Sequence, residues 1–373
     1  VKKLAFSYNP EPTLGVEIEL ALVDGRTMAL SSSIHPVLER LPSDLAETVK
    51  PELMQCYLEI NTGVCRTVDE AAADLRGKLL AVEQVTDGLG LRLLWCATHP
   101  FSMWRDQQVT PTERYKMLLN LLQDMARQLI TFGLHVHVGV DTGDKAILIC
   151  ERIMEHLPLL LALSSNSPFW ENRVTGLLSN RSKVMEALPT AGLPSVLRNW
   201  SEYTWLINHL METGFINTIR EIWWDVRPHH NFGTVEIRVC DMPPNLDEVL
   251  ALAALIQCLV KHLSDEIDEG NYQYDIHPMM VRQNKWRACR FGTGARLVHP
   301  LSHESRVVPE IIGDLVRRLW PTAEQLQCQP HLQRILGMAD GPTGADRQLA
   351  YLAETGDPAE VVRRMTESSR IGE

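Results

Sequence analysis

The stretch TLGVEIELAL, residues 13–22, has the two-residue period of a strand. Val16, Ile18 and Leu20 fall on one face, and Glu17 and Glu19 on the other. Three further segments repeat this design. In YLEIN (57–61), Glu59 and Asn61 oppose Leu58 and Ile60. In GLHVHVGV (133–140), His135 and His137 oppose Val136 and Val138, and in TVEIRV (234–239), Glu236 and Arg238 oppose Val235, Ile237 and Val239. The pattern predicts strands that bury one face under helices and present a face of carboxylates, imidazoles and one guanidinium.

Around these strands the chain alternates. Asp24-Gly25 predicts a hairpin with TMALS (27–31) as its return strand. Thr67 and Glu70 predict a capping box opening a helix with Ala72, Leu75, Leu79, Val82 and Val85 inward. LRLLWCA (91–97) reads as a strand, Thr110-Pro111 starts a helix running to about Phe132, and another helix runs from Asp144 to about Leu157. The polar stretch SSNSPFWENRVTGLLSNRSK (164–183) is read as a loop covering a site. IREIWWDVR and GTVEIRVCD flank PHHNF as a second hairpin, and from NLDE (245–248) onward the chain is mainly helical. The fold class is α+β, one domain over 1–373, with a largely antiparallel sheet-forming core over about 13–245 and helices over 245–373.

Composition limits the function classes. A chain of 373 residues with 45% hydrophobic content buries a large core. A net charge of −11 argues against nucleic-acid binding, which needs a basic face. The eight cysteines contain no CxxC pair and predict a reduced, cytoplasmic protein. VKKLAFSYNP lacks the apolar core of a signal peptide, and HLPLLLALSS (156–165) is too short to span a bilayer, so no membrane association is expected.

Any one of these polar strand faces could simply be wetted. Together they are made of Glu, His and Arg rather than Thr, Lys, Ser and Gln, which points to a site. Two carboxylates about 5 Å apart repel by roughly 3 kcal/mol at an effective dielectric of about 20. Several such pairs call for divalent cations, and a ligand set of oxygens and imidazole without thiolate favours Mg²⁺, or Mn²⁺, over zinc. An arginine beside them suggests phosphate chemistry. On this reading, neutralising Glu17 or Glu236 relieves repulsion in the metal-free chain. The open alternatives are a two-metal hydrolase and a metal- or nucleotide-binding regulatory protein with weak or no turnover.

GVEIEL, PELMQCYLEINTGVC, GLHVHVGV, WDVRPHHNFGTVEIRVCD and NKWRACRFG together resemble the YbdK-type carboxylate-amine ligases, the glutamate–cysteine ligase 2 group. More remotely, their order is similar to the site of glutamine synthetase and the γ-glutamylcysteine synthetases. The resemblance implies a glutamine-synthetase-like catalytic domain whose sheet forms a saddle or funnel around the site. It implies an ATP- and Mg²⁺-dependent ligase that joins a carboxylate, the γ-carboxylate of glutamate, to an amine such as cysteine through an acyl phosphate. It implies Glu19, Glu52 and Glu59 as ligands of one metal, and Glu17, His135 and Glu236 as ligands of a second metal on the nucleotide. His137 would touch phosphate and Arg238 would stabilise the phosphoryl group in flight. Arg227, Arg287 and Arg290 are further candidates for phosphate or substrate carboxylate, and Arg181 lies in the expected covering loop. Trp170, Trp223, Trp224 and Trp286 are pocket or core candidates. Small-molecule substrates are the expected partners, with a homodimer compatible with the helical part.

Overall fold

A computed structural model describes residues 4–271 and 276–371; the first three residues of VKKLAFSYNP lie outside them. At its centre is an antiparallel sheet of seven strands: β1 (Leu14–Asp24), β2 (Val49–Pro51), β3 (Tyr57–Asn61), β4 (Leu91–Leu94), β5 (Leu134–Gly139), β6 (Val226–His229) and β7 (Thr234–Ile237). The order is β6-β7-β5-β1-β3-β2, with β4 also pairing β1. The antiparallel α+β fold expected from the strand faces is present, and its register sets the site. Glu17 lies opposite Asn61 on β3 and His135 on β5, Glu19 lies opposite Glu59, and Glu236 opposite His137 and Arg227.

Helices cover the apolar face. They include α1 (Val68–Gly88), α2 (Glu113–Leu122), α3 (Gly143–Arg152), α4 (Leu246–Asp268), α5 (Pro278–Phe291), α6 (Gln329–Asp340) and α7 (Gly344–Thr355). Thr67 caps α1 by accepting from the Glu70 N–H, but the Glu70 carboxylate accepts from Arg66 N–H instead of closing the expected box on Thr67. Asn245 caps α4 by accepting from Glu248 N–H at 2.9 Å. Most of α4 is buried, and it packs behind β1 and β5. Val16, Ile18 and Leu20 of β1 belong to the same apolar core as Val249, Leu252 and Ile256 of α4.

Four expectations change. The return strand TMALS shrinks to a single bridge between Val23 and Leu30. Asp24 Oδ1 accepts from the N–H groups of Arg26 and Thr27, which builds a wider turn, and the end of β1 pairs with β4 instead. The helix expected to reach Phe132 stops at Leu122, because Gln123 takes φ +52°, and only a short turn, Asp124–Arg127, follows. The helix expected over 144–157 divides into α3, a 3₁₀ turn at Ile153–His156 and the buried helix Leu157–Ser164. Finally, 164–183 is only in part the expected cover: residues 172–174 are exposed and Arg181 lines the pocket described below, but both ends of the stretch turn inward. Ser165, Asn166, Ser167 and Ser179 are fully buried, because the carboxylate of buried Asp241 accepts from Asn166 N–H (3.0 Å), Ser167 Oγ (2.6 Å) and Ser179 Oγ (2.8 Å). Among the described residues no helix is long and apolar enough to cross a membrane.

Candidate active site

The polar face of the sheet lines a pocket of about 330 Å³. Glu17, Glu19, Glu52, Glu59, His135, His137, Arg181, Arg227, Glu236 and Arg238, drawn from segments more than 200 positions apart, all line it. The strand period explains how: every side chain named from β1, β3, β5 and β7 sits on the face opposite the core. Glu52 follows β2 directly and is held by Tyr115, whose hydroxyl donates to its Oε2 at 3.3 Å.

One half of the pocket is acidic. Glu19 and Glu59 face each other across β1 and β3. Burial raises the Glu19 carboxyl to about 7, with the Glu59 charge adding to the rise and Arg181 opposing it; Gly133 N–H donates to its Oε2 at 2.5 Å. Burial, then the charges of Glu59 and Glu19, push Glu52 well above the ordinary carboxylate range. Burial and Glu17 raise Glu59 as well. Three half-buried acids that resist ionisation together favour a positive charge among them.

The other half is basic. Glu236 is almost fully buried and accepts from Arg227 Nε at 2.6 Å and Nη2 at 3.3 Å, and Arg238 Nη1 also donates to it. Burial opposes its ionisation, but Arg227, Arg238 and His137 hold it well below the usual range. Arg227 is fixed in turn by donating to Ile222 O at 2.6 Å. Glu17 joins the halves: His135 Nδ1 lies 3.3 Å and His137 Nε2 3.4 Å from its carboxylate. Those contacts outweigh burial and keep Glu17 ionised far into acid. Burial and Arg238 lower His135 to about 4, so its ring is neutral and able to ligate at neutral pH. His137 shifts upward because Glu236 and Glu17 overcome its burial, and its Nδ1 lies 3.0 Å from Thr234 Oγ1.

The donor set fits a divalent cation. Glu17, Glu59 and His135 offer ligand atoms within 4.8 Å of one another, and Glu17, His137 and Glu236 form a second such trio. Asn61 donates to Glu59 Oε1 at 2.8 Å, while its own Oδ1 is buried without a partner beside them. This grouping differs from the expected sets: Glu59 joins Glu17 and His135, and His137 rather than His135 stands with Glu236. Glu19 and Glu52 line the same acidic half but fall outside both trios.

Other expected residues lie elsewhere. Arg287 donates to Arg296 O at 3.0 Å, the Arg290 guanidinium lies over the ring of Phe291, and neither lines the pocket. The inward face of α5 runs through Val281, Lys285, Ala288 and Cys289, which turns Arg287 and Arg290 outward. The buried cation of that motif is Lys285, paired with Asp225 at 2.5 Å and Glu186 at 2.7 Å. Asp225 O accepts from Arg238 N–H at 2.8 Å, so Lys285 braces the loop that carries Arg238. Trp223 lines the pocket, Trp224 belongs to a separate apolar cluster, Trp170 lies in a short hairpin, and Trp286 is exposed under Lys183.

Lys50, Arg114, Tyr115 and Arg220, with no motif to mark them, also line the pocket, as do His229 and Phe232 of the quoted PHHNF turn. Only the HHNF turn carried a signal, two histidines and an aromatic between two strands. His229 and Phe232 stack there with ring centroids 4.1 Å apart.

Comparison with known proteins shows what the chain as a whole is similar to. The model of glutamate-cysteine ligase family 2 matches residues 13–367. A Gloeobacter violaceus protein named "Putative glutamate--cysteine ligase 2" is 42% identical over 348 residues, 92% of this chain and 93% of its own length. One of the same name from Thermobifida fusca is 40% identical over 377 residues, 99% of this chain and 94% of its own. Among solved structures, a glutamate–cysteine ligase from Francisella tularensis in complex with AMP superposes with a TM-score of 0.70 at 13% identity, covering 98% of this chain and 89% of that one. At that identity the likeness is one of fold.

Proposed function

On the premise that this chain belongs to glutamate-cysteine ligase family 2 and is a ligase forming an amide bond, we propose that it consumes ATP with Mg²⁺, or Mn²⁺, to join the γ-carboxylate of glutamate to the amine of cysteine or a similar amino compound. The carrying observation is the division of one pocket into an acidic and a basic half, bridged by Glu17. The AMP bound to the Francisella tularensis enzyme of like fold supports a nucleotide as co-substrate.

A carboxylate is a poor electrophile until its oxygen becomes a leaving group. In the proposed reaction that oxygen bonds to the γ-phosphorus as the bond to ADP breaks. The amine nitrogen then attacks the acyl carbon, and phosphate departs with the electron pair of the broken C–O bond. Arg238 and Arg227 would meet the negative charge that collects on the phosphoryl oxygens, and Glu236 fixes both guanidiniums beforehand. Glu17, Glu59 and His135 would hold one cation, and Glu17, His137 and Glu236 a second. Bound cations supply charge neutralisation at the phosphates that no P-loop provides here. The whole chain acts as one catalytic unit, and its eight buried, unpaired cysteines suit the cytoplasm.

The test is incubation with ATP, Mg²⁺, glutamate and a panel of amines, followed by mass spectrometry. Phosphate release that requires both acid and amine, with a new amide product, is expected. Phosphate or ester hydrolysis without an amine would favour the hydrolase, and nucleotide binding without turnover the regulatory protein.

A further inference from the structure

A second cavity, of about 760 Å³, shares no lining residue with the catalytic pocket. It lies between the start of α4, α6, the segment leading into α7 and the chain around Arg370. Four guanidiniums line it, from Arg76, Arg334, Arg347 and Arg370, against the two carboxylates Asp247 and Glu248. Arg370 is already held by Asp87, at 2.7 Å and 3.2 Å, which leaves Arg76, Arg334 and Arg347 against Asp247 and Glu248, an excess of one positive charge on a chain carrying −11. Arg334 pairs with Asp247 at 2.8 Å, but both side chains are more than half exposed (55% and 56%), and such a pair is weakly held and readily exchanged for a better anion. Arg347 reaches Glu248 through Nη2, while its Nε is buried without a partner. Arg76 makes no ion pair among the described residues. Planar guanidinium forks converging from separate elements match oxyanions with two acceptor atoms each.

From these observations we propose that the cavity is a regulatory site for a small anion bearing two or more acidic groups, a polycarboxylate or a phosphate ester. A continuous buried route leads from it to the catalytic pocket. Gln348, next to Arg347, donates to Asn166 O at 3.0 Å and Oδ1 at 2.7 Å. Asn166 N–H donates to Asp241 at 3.0 Å, and Ser167 donates to the same carboxylate while accepting from Arg181 N–H at 3.0 Å. Arg181 lines the catalytic pocket. The route is tightly built, since a Cβ on Gly344 would stand 2.3 Å from Asn166 Oδ1. An anion that draws Arg347 inward moves the start of α7, and Gln348 with it.

Titration calorimetry on protein freed of metal over a chelating resin, without nucleotide or any soluble polycarboxylate, tests the site with tricarballylate and 3-phosphoglycerate as probes. Saturable one-to-one binding is expected, weakened at least tenfold in the Arg76→Ala/Arg334→Ala double variant. Binding of tricarballylate alone assigns a polycarboxylate, and of 3-phosphoglycerate alone a phosphate ester. The variant's turnover and melting temperature without probe should match the parent, and saturating probe should change turnover more than twofold in the parent only. Arg76→Lys/Arg334→Lys should retain most binding. No saturable binding, or binding equal in parent and double variant, overturns the site. An equal change of turnover in parent and variant places the probe in the catalytic pocket instead, and no change in either overturns the regulation.

Discussion

The two halves of the catalytic pocket are built from the same side chain and behave oppositely. Glu236 is among the most buried carboxylates of the molecule, yet it stays ionised because two arginines and His137 face it. Glu19, Glu52 and Glu59 are less deeply buried in the pocket, yet they hold on to protons because they face one another. The sign of a carboxylate's shift is decided by its neighbours more than by its depth. The basic half arrives pre-assembled for an anion, whereas the acidic half becomes stable as a set of anions only with cations among them.

The sharpest way to break this comparison is Glu236→Gln. Removing the charge strands two guanidiniums in the interior, so urea unfolding should show a loss of about 3–5 kcal/mol. The strand pattern alone predicts relief of repulsion at this position, and unchanged or increased stability would restore that simpler view. Arg238→Lys comes next: a point charge replaces a fork already held by Glu236, and turnover should fall about 10²- to 10³-fold while nucleotide affinity changes little. An equal loss of affinity would make Arg238 a general binding residue. Glu59→Gln should do the reverse of Glu236→Gln, raising metal-free stability by about 1 kcal/mol and abolishing the rise in melting temperature that Mg²⁺ gives the parent. A variant still stabilised by Mg²⁺ would remove Glu59 from the metal site.

The smallest effect is in pH. The folded-state value of Glu19, about 7, lies above its ordinary value of 4.5, so the stability it contributes is fully present below 4.5 and lost as pH rises through about 7. Glu17 and Glu236 have depressed values, so their contribution holds at neutral pH and fails only in acid. Melting curves in EDTA from pH 5 to 8 should therefore decline, with a shallower decline in Glu19→Gln or at saturating Mg²⁺. Superimposable curves for parent and Glu19→Gln would assign the decline to other groups.

Much of the site was legible because strand alternation is a local rule. Once Val16, Ile18 and Leu20 need a core, Glu17 and Glu19 must face away from it, and the same holds for Glu59, His135, His137 and Glu236. The arginines were harder to read. Arg287 and Arg290 looked like anion ligands in a basic motif, but the buried turn of α5 chose Lys285. Arg114, Tyr115 and Arg220 enter from short segments whose direction depends on how distant elements pack. The polar stretch 164–183 resembled a surface loop because nothing nearby revealed Asp241, the acceptor more than 60 positions away that draws its serines inside.

The sequence by itself determined which residues share a face, since the direction of successive side chains along a strand follows from backbone geometry. Only the tertiary structure decided which of those residues meet, and so which carboxylate finds arginines and which finds other carboxylates. Electrostatic energy depends on distances between groups far apart in the chain, and register and packing set those distances.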